Sequence, residues 1–182
     1  MDKDMGGGVY QTNKISGGTI LDQIAYATVK YNGSFYSKDT QTCASGSIEP
    51  LQAGSVFYVP NGVSIINDYF GKPTLIQVAK YANYNVQFSA QINRTSGGSS
   101  KQVTIWLRKN GADMEWSATH LTVQANQGKL VAAWNFFVPM DVGDTLQIMW
   151  TQNDAIDILA EPADLVTPHP AVPSVIITVN EI

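Results

Sequence analysis

Between Tyr84 and Trp150 the chain alternates apolar and polar residues in run after run. Tyr84, Val86, Phe88, Ala90 and Ile92 alternate with Asn85, Gln87, Ser89 and Gln91. Val103, Ile105 and Leu107 alternate with Thr104, Trp106 and Arg108. Leu130, Ala132, Trp134, Phe136 and Val138 form a third apolar series, and Leu146, Ile148 and Trp150 a fourth. Successive side chains of a β-strand point to opposite faces, so each run is a strand with one buried face. Such strands are not stable singly. Together they make a sheet-on-sheet core around which the rest of the chain must fit.

The remaining segments add shorter strands. Ile24–Tyr31 alternates and reads as a first strand, closed by an Asn32-Gly33 tight turn with Ser34–Tyr36 returning from it. Ser55–Val59, Val63–Ile66, Thr74–Val78 and His120–Gln124 are strands between turn signals such as Pro60-Asn61-Gly62 and Phe70-Gly71-Lys72-Pro73. Lys109-Asn110-Gly111 ends a strand on a turn that favours positive φ. Arg94–Ser100 reads as a flexible connection, and Trp116 as a cover for the edge of the core. Ala155–Ala160 fits a helical turn or a short strand, and Glu161–Pro173 an extended proline-rich loop. In Ser174–Ile182 the apolar residues run together, which predicts a central strand buried on both faces. About ten short strands without a long helix imply a sandwich or barrel. The central C-terminal strand and the long cross-connections favour a jelly roll.

Composition narrows the function. A chain of 182 residues suits one well-buried domain. Charged residues are only 14%, with Gly, Ser, Thr, Asn and Gln at the polar positions, which suits a surface largely covered in an assembly. A net charge of −4 and scattered Lys and Arg argue against nucleic acid as a partner. No apolar run approaches the roughly 20 residues of a membrane span, so no membrane partner is expected. The start of the chain lacks the apolar core of a secretion signal, and Cys43 has no second cysteine to pair with. Assembly in a reducing cytoplasm is the resulting expectation. Residues 1–23 are glycine-rich and read either as a flexible terminus or as an N-terminal arm that would order against a neighbouring subunit, anchored by Val9, Tyr10, Ile20 and Leu21. Residues 24–182 form the jelly-roll domain.

Residues with catalytic potential are few. His120 begins a strand with no assignable Ser or Asp partner, and His169 sits between two prolines. A hydrolytic triad needs a base held by a carboxylate beside a nucleophile, and no motif signals one. Cys43, in a polar loop without a paired His, reads as an inert thiol. Asp154, Asp157, Glu161 and Asp164 offer oxygen ligands for Ca²⁺ but lack the spacing of a calcium loop. The chain therefore reads as a non-enzyme with no cofactor.

The motifs occur in a telling order. Gln87–Gln91 (QFSAQ), Ile105–Gly111 (IWLRKNG), Val131–Phe136 (VAAWNF), Ile148–Trp150 (IMW) and Pro173–Val179 (PSVIITV) follow one another. In this order they resemble the C1q/TNF-like jelly roll, and more narrowly the version found in tailed-phage virion proteins. The resemblance is good over 83–182 and weaker over 24–82, and residues 1–23 take no part in it. Asn83 stands where a small turn residue, usually Gly, precedes the strand tyrosine, and no Gly-X-Y stalk is present.

The resemblance implies a homotrimer whose inner sheets pack around a threefold axis. Phe136 and Phe137 must point oppositely, so some large aromatics face away from the core. Trp106, Trp134 and Phe137 are the candidates for the trimer interface, the alternative being that they lie under loops of their own subunit. The function implied is a virion structural protein, a trimeric decoration (cement) protein on the capsid surface with the major capsid protein as partner. The alternative is a receptor- or glycan-binding tip module of a tail or head fibre, with Trp116 and the 94–100 loop as the contact candidates.

Overall fold

A computed structural model describes residues 29–182. The expected arm residues Val9, Tyr10, Ile20 and Leu21 lie outside the described residues, as do residues 24–28 of the expected first strand. Among the described residues there are fourteen strands and no helix. They are β1 (Asn32–Ser37), β2 (Gln41–Thr42), β3 (Glu49–Pro50), β4 (Ser55–Val56), β5 (Val63–Asn67), β6 (Pro73–Val78) and β7 (Ala82–Arg94). The second half holds β8 (Lys101–Lys109), β9 (Ala112–Asp113), β10 (Thr119–Val123), β11 (Lys129–Met140), β12 (Thr145–Gln152), β13 (Ile156–Ile158) and β14 (Val175–Glu181). About ten were expected. The excess is mostly strands of two or three residues, too short to show an alternation.

The strands form two antiparallel sheets of seven. The first, sheet A, is organised by β7. One edge of β7 pairs along its length with β11, from Ala82↔Met140 to Asn93↔Lys129. The other edge is shared: β14 pairs with residues 84–90, and β13 with residues 92–94. Beyond β14 come β1 and then β4, while β2 pairs with β13. The second, sheet B, runs β10-β8-β12-β6-β5, with β9 on β8 and β3 on β12. The chain changes sheet between β7 and β8, between β10 and β11, and between β12 and β13, which is a jelly-roll path.

The alternating runs face each other across the two sheets. Tyr84, Val86, Phe88, Ala90 and Ile92 of β7 are buried, as are Val103, Ile105 and Leu107 of β8 and Leu146, Ile148 and Trp150 of β12. The hydroxyl of Tyr84 donates to the Lys80 carbonyl at 2.9 Å, so its burial leaves that polar atom satisfied. Trp150 is less well served. Among the described residues its Nε1 and Gln152 Oε1 are buried without partners, a donor and an acceptor two residues apart on one face of β12. β14 is central, as expected, but its pattern alternates: Val175, Ile177 and Val179 are buried, whereas Ile176 and Thr178 are half-buried.

Local differences from the sequence reading have local causes. Asn32-Gly33 opens β1 and is not a turn; residues 29–31 are not strand. A Cβ on Gly33 would meet the Phe35 ring at 2.6 Å, so the glycine serves close packing. Asn110 (φ 51°) and Gly111 (φ 81°) form the expected left-handed pair between β8 and β9. Ala155–Ala160 resolves into strand β13. The 94–100 connection is drawn around one side chain: the Arg94 guanidinium donates to the carbonyls of Ser96, Gly98, Ser99 and Gln124 at 2.6–2.8 Å.

Ile148→Ala is expected to cost about 2–5 kcal/mol, because it opens a cavity in the centre of the core. Trp150→Phe removes the orphaned N–H together with part of a ring, and relief of an unsatisfied buried donor is worth about 1–3 kcal/mol. It should therefore cost clearly less than Ile148→Ala. Urea unfolding at unchanged m-value measures both, and equal losses would contradict the assignment of an unsatisfied indole.

Candidate subunit interface

Sheet A has an outward face whose composition follows from the register of its strands. Outward side chains alternate with the core series: Asn83, Asn85, Gln87, Ser89 and Gln91 on β7, and Val131, Ala133, Asn135, Phe137 and Pro139 on β11. Ile176, Thr178 and Asn180 on β14 and Ser34 and Tyr36 on β1 continue it. The register lines these up in rows. Ala133, Ser89, Ile176 and Tyr36 stand side by side, as do Asn135, Gln87, Thr178 and Ser34. Phe137 stands opposite Asn85, which stands opposite Asn180.

Not one of these positions carries a charge; Lys129 of β11 and Asp157 of β13, on either side of Asn93, share the outward parity and bring charge only to the end of the face. Two pairs of polar groups are satisfied sideways within the face: Asn135 Nδ2 donates to Asn85 Oδ1 at 3.2 Å, and the Ser34 and Thr178 hydroxyls are 3.3 Å apart. Covering such a face strips few strong hydration shells. Apolar side chains stand out from it: Phe137 is 65% exposed and Val131 55%. A hollow of about 170 Å³ lies between β7 and β14, lined by Gln87, Phe88, Ser89, Ile176 and Thr178. The far edge of β11 pairs with no strand among the described residues.

The three expected interface aromatics part company. Phe137 lies on the outward face of sheet A. Trp134 points the other way, as its even register with Ala132 and Val138 requires. It packs edge-on against Phe88, with centroids 4.6 Å apart, and against Phe136 at 6.4 Å. Trp106 belongs to sheet B and is only 8% exposed. Its Nε1 donates to Asp113 Oδ1 at 2.8 Å, and Met149 stands opposite it in the register. The chain's own β8–β9 turn ties it down, which is the alternative weighed above. Val131 carried no signal of its own beyond sharing parity with Phe137.

Trp116 does not cover the core. It is 99% exposed at φ 63°, a left-handed conformation that is uncommon for a bulky residue. The turn beneath it is braced, since Ser117 Oγ accepts from Leu107 N at 3.0 Å and donates to the Met114 carbonyl at 2.7 Å. Trp116 and the 94–100 loop do not form one site. The first sits beside Leu107 and the second precedes Lys101, some 20 Å apart at about 3.3 Å per strand residue.

The acidic residues are likewise dispersed. Asp154 pairs with Lys101 and Glu161 with Lys129, while Asp164 accepts from Val166 N at 2.7 Å. Burial raises the carboxyl of Asp157. No group of three His, Cys, Asp or Glu is placed to hold a metal among the described residues. His120 Nδ1 lies 2.7 Å from Thr104 Oγ1, and His169 Nδ1 2.7 Å from the Pro170 carbonyl. The Cys43 thiol is pushed up, first by burial and then by the Glu49 carboxylate.

No protein-family model matches the sequence, and no curated protein is similar to it in sequence. Solved structures are similar in fold. Crystal structures of murine APRIL at pH 8.5 and pH 5.0 superpose with TM-scores of 0.50 and 0.52 at 8% and 7% identity. A third, at pH 8.0, gives 0.50 at 8%. Each match covers 85% of this chain and 100% of the other. The likeness shows the fold, an all-β TNF-like jelly roll.

The Trp106 brace yields a pH dependence. Asp113 accepts from Arg108 Nε at 2.7 Å as well as from Trp106, and these two bonds, Arg108 first, hold its carboxyl below the ordinary value of 3.8. A depressed carboxylate contributes stability above its unfolded pKa, and that contribution is lost as pH falls through the lower folded value. Tryptophan emission should therefore shift to the red below about pH 3.8. Asp113→Ala should show that shift already at neutral pH and lose the acid step. An unchanged acid step in Asp113→Ala would disprove the brace.

Proposed function

We propose that the chain is a non-enzymatic structural protein of a tailed-phage virion. In this reading it is a homotrimeric decoration (cement) protein on the capsid surface, bound to the major capsid protein and assembled in the host cytoplasm. The observation that carries the trimer is the uncharged patch on the outward face of sheet A, formed by the rows from Asn85 to Gln91 and their neighbours, with Phe137 and Val131 exposed upon it. Stable interfaces bury roughly 800 Å² per partner around a poorly charged core, and a sheet of long strands offers such an area. The ordered motifs between Gln87 and Val179 support the virion setting.

The mechanism is mechanical. Each trimer adds buried area at junctions between capsid subunits, and modest contacts repeated over a shell sum to a large resistance to internal pressure. No covalent step is required of the chain.

A second reading, a receptor-binding tip module, is supported by Trp116, a large ring held fully exposed on a braced turn. Labelled protein that adsorbs to host cells in the absence of capsids would favour it.

Light scattering on the whole chain should give three times the chain mass of 19.8 kDa. The double variant Phe137→Asp with Val131→Asp should fall to the mass of one chain with little change in melting temperature, since both residues are exposed within the subunit. A trimer that survives both carboxylates would remove sheet A as its interface. Cryo-electron microscopy of the virion then locates the chain: density on the shell supports the cement reading, and density at a fibre tip overturns it.

A further inference from the structure

Beside the β1–β4 edge of sheet A lies a groove of about 670 Å³, within the size range of small-molecule sites. Two aromatic rings line one side. Tyr36 and Phe57 stack with centroids 4.4 Å apart and planes 29° from parallel, and Phe57 is 55% exposed. The opposite side is the 160–173 segment, with Pro162, Pro170 and Pro173 among its lining residues.

The groove is preformed. Glu161 and Val172 exchange both backbone hydrogen bonds at 2.9 Å, and Asp164 and His169 do so at 3.1 Å. Thr40 Oγ1 accepts from Ala160 N at 3.1 Å, which ties this segment to the turn after β1. The prolines fix φ. A ligand therefore has little loop ordering to overcome.

Two charged groups of the lining remain available. Lys38 Nζ lies 5.8 Å from the Tyr36 ring centroid. Asp39 uses its backbone, accepting from Ser174 Oγ at 2.7 Å, and its carboxylate takes no hydrogen bond among the described residues. The remaining lining charge, Glu161, is paired with Lys129. The groove thus presents a flat apolar surface, an anionic acceptor and a cationic donor, with no net charge.

We propose that this groove binds a neutral saccharide. A pyranose has an apolar C–H face that fits against Phe57, and hydroxyls that donate to the Asp39 carboxylate and accept from the Lys38 ammonium. A purely apolar ligand would desolvate both charges without replacing their hydrogen bonds. An anion would meet two carboxylates with no surplus of positive charge. The inference concerns a ligand of the subunit and does not rest on the capsid reading. It also places sugar recognition on sheet A, away from Trp116.

One sugar ring of about a dozen heavy atoms, at ordinary ligand efficiency, binds on the order of millimolar. The test is saturation-transfer NMR on the whole chain with the methyl glycosides of glucose, galactose, mannose and N-acetylglucosamine, and with maltotriose. The result expected is saturable transfer from at least one of them. Phe57→Ala and Asp39→Ala should each weaken it about tenfold or more, the scale of one lost charged hydrogen bond or ring contact, at unchanged mass and melting temperature. Trp116→Ala should leave it unchanged. The inference is overturned if no probe binds at about 50 mM, far above the expected constant. It is overturned equally if binding survives both groove substitutions or disappears in Trp116→Ala. A change of oligomer mass in Phe57→Ala would make the groove a contact between subunits and overturn it as a ligand site. None of these outcomes bears on the shell-location experiment, so the two readings fail separately.

Discussion

The pairing of β7 with β11 decides what this molecule shows to its surroundings. The register runs unbroken from Ala82↔Met140 to Asn93↔Lys129, and side chains alternate strictly along it. A slip of one residue would carry Phe137 into the core and Val138 out of it. The correct register is held from inside, by Tyr84, Val86 and Phe88 packing against the residues of sheet B. The outward face inherits its composition from that choice. Asn85, Gln87, Ser89 and Gln91 face out because Val86, Phe88, Ala90 and Ile92 face in.

Much of this is legible in the alternation of the sequence. The long strands β7, β8, β11 and β12 appear where the period of two appears, and the polar series on β7 is visible as a series. Its lack of charge is equally visible, although only the register shows that uncharged rows from four strands lie side by side. Trp106 is the instructive exception. It alternates with Val103, Ile105 and Leu107 as an outward residue should, yet it is buried. Asp113 and the short strand β9 fold over it, and a tertiary hydrogen bond of that kind has no period. The two-residue strands were hidden for a related reason: two residues cannot show an alternation, and pairing with a distant neighbour alone makes them strand.

The groove was still further from view. Its aromatic side comes from β1 and the residues after β4, and its proline side from a segment more than a hundred residues later. In sequence the proline run reads only as a loop. The structure shows that it is paired with itself at Glu161↔Val172 and Asp164↔His169 and tied to Thr40. Prolines that would be mere punctuation in an open loop become a wall, because the backbone on either side of them is hydrogen-bonded.

The outward face and the groove differ in the partner that each can satisfy. Side chains on the face already hydrogen-bond one another, as Asn135 does with Asn85 and Ser34 with Thr178. An uncharged surface with part of its polar groups already paired loses less when another flat surface covers it than a charged one would, and gains from the burial of Phe137 and Val131. The edge of β11 that pairs with no described strand adds a reason for cover, since an open edge of that length is prone to unwanted pairing. In the groove the opposite holds: among the described residues the Asp39 carboxylate takes no hydrogen bond and Lys38 lies only over a ring. Covering these groups with a flat apolar surface would cost their hydration, so the groove calls for a ligand that returns hydrogen bonds. The rows centred on β7 thus suit cover by another flat protein surface, and the groove beside β1 suits a ligand that returns hydrogen bonds.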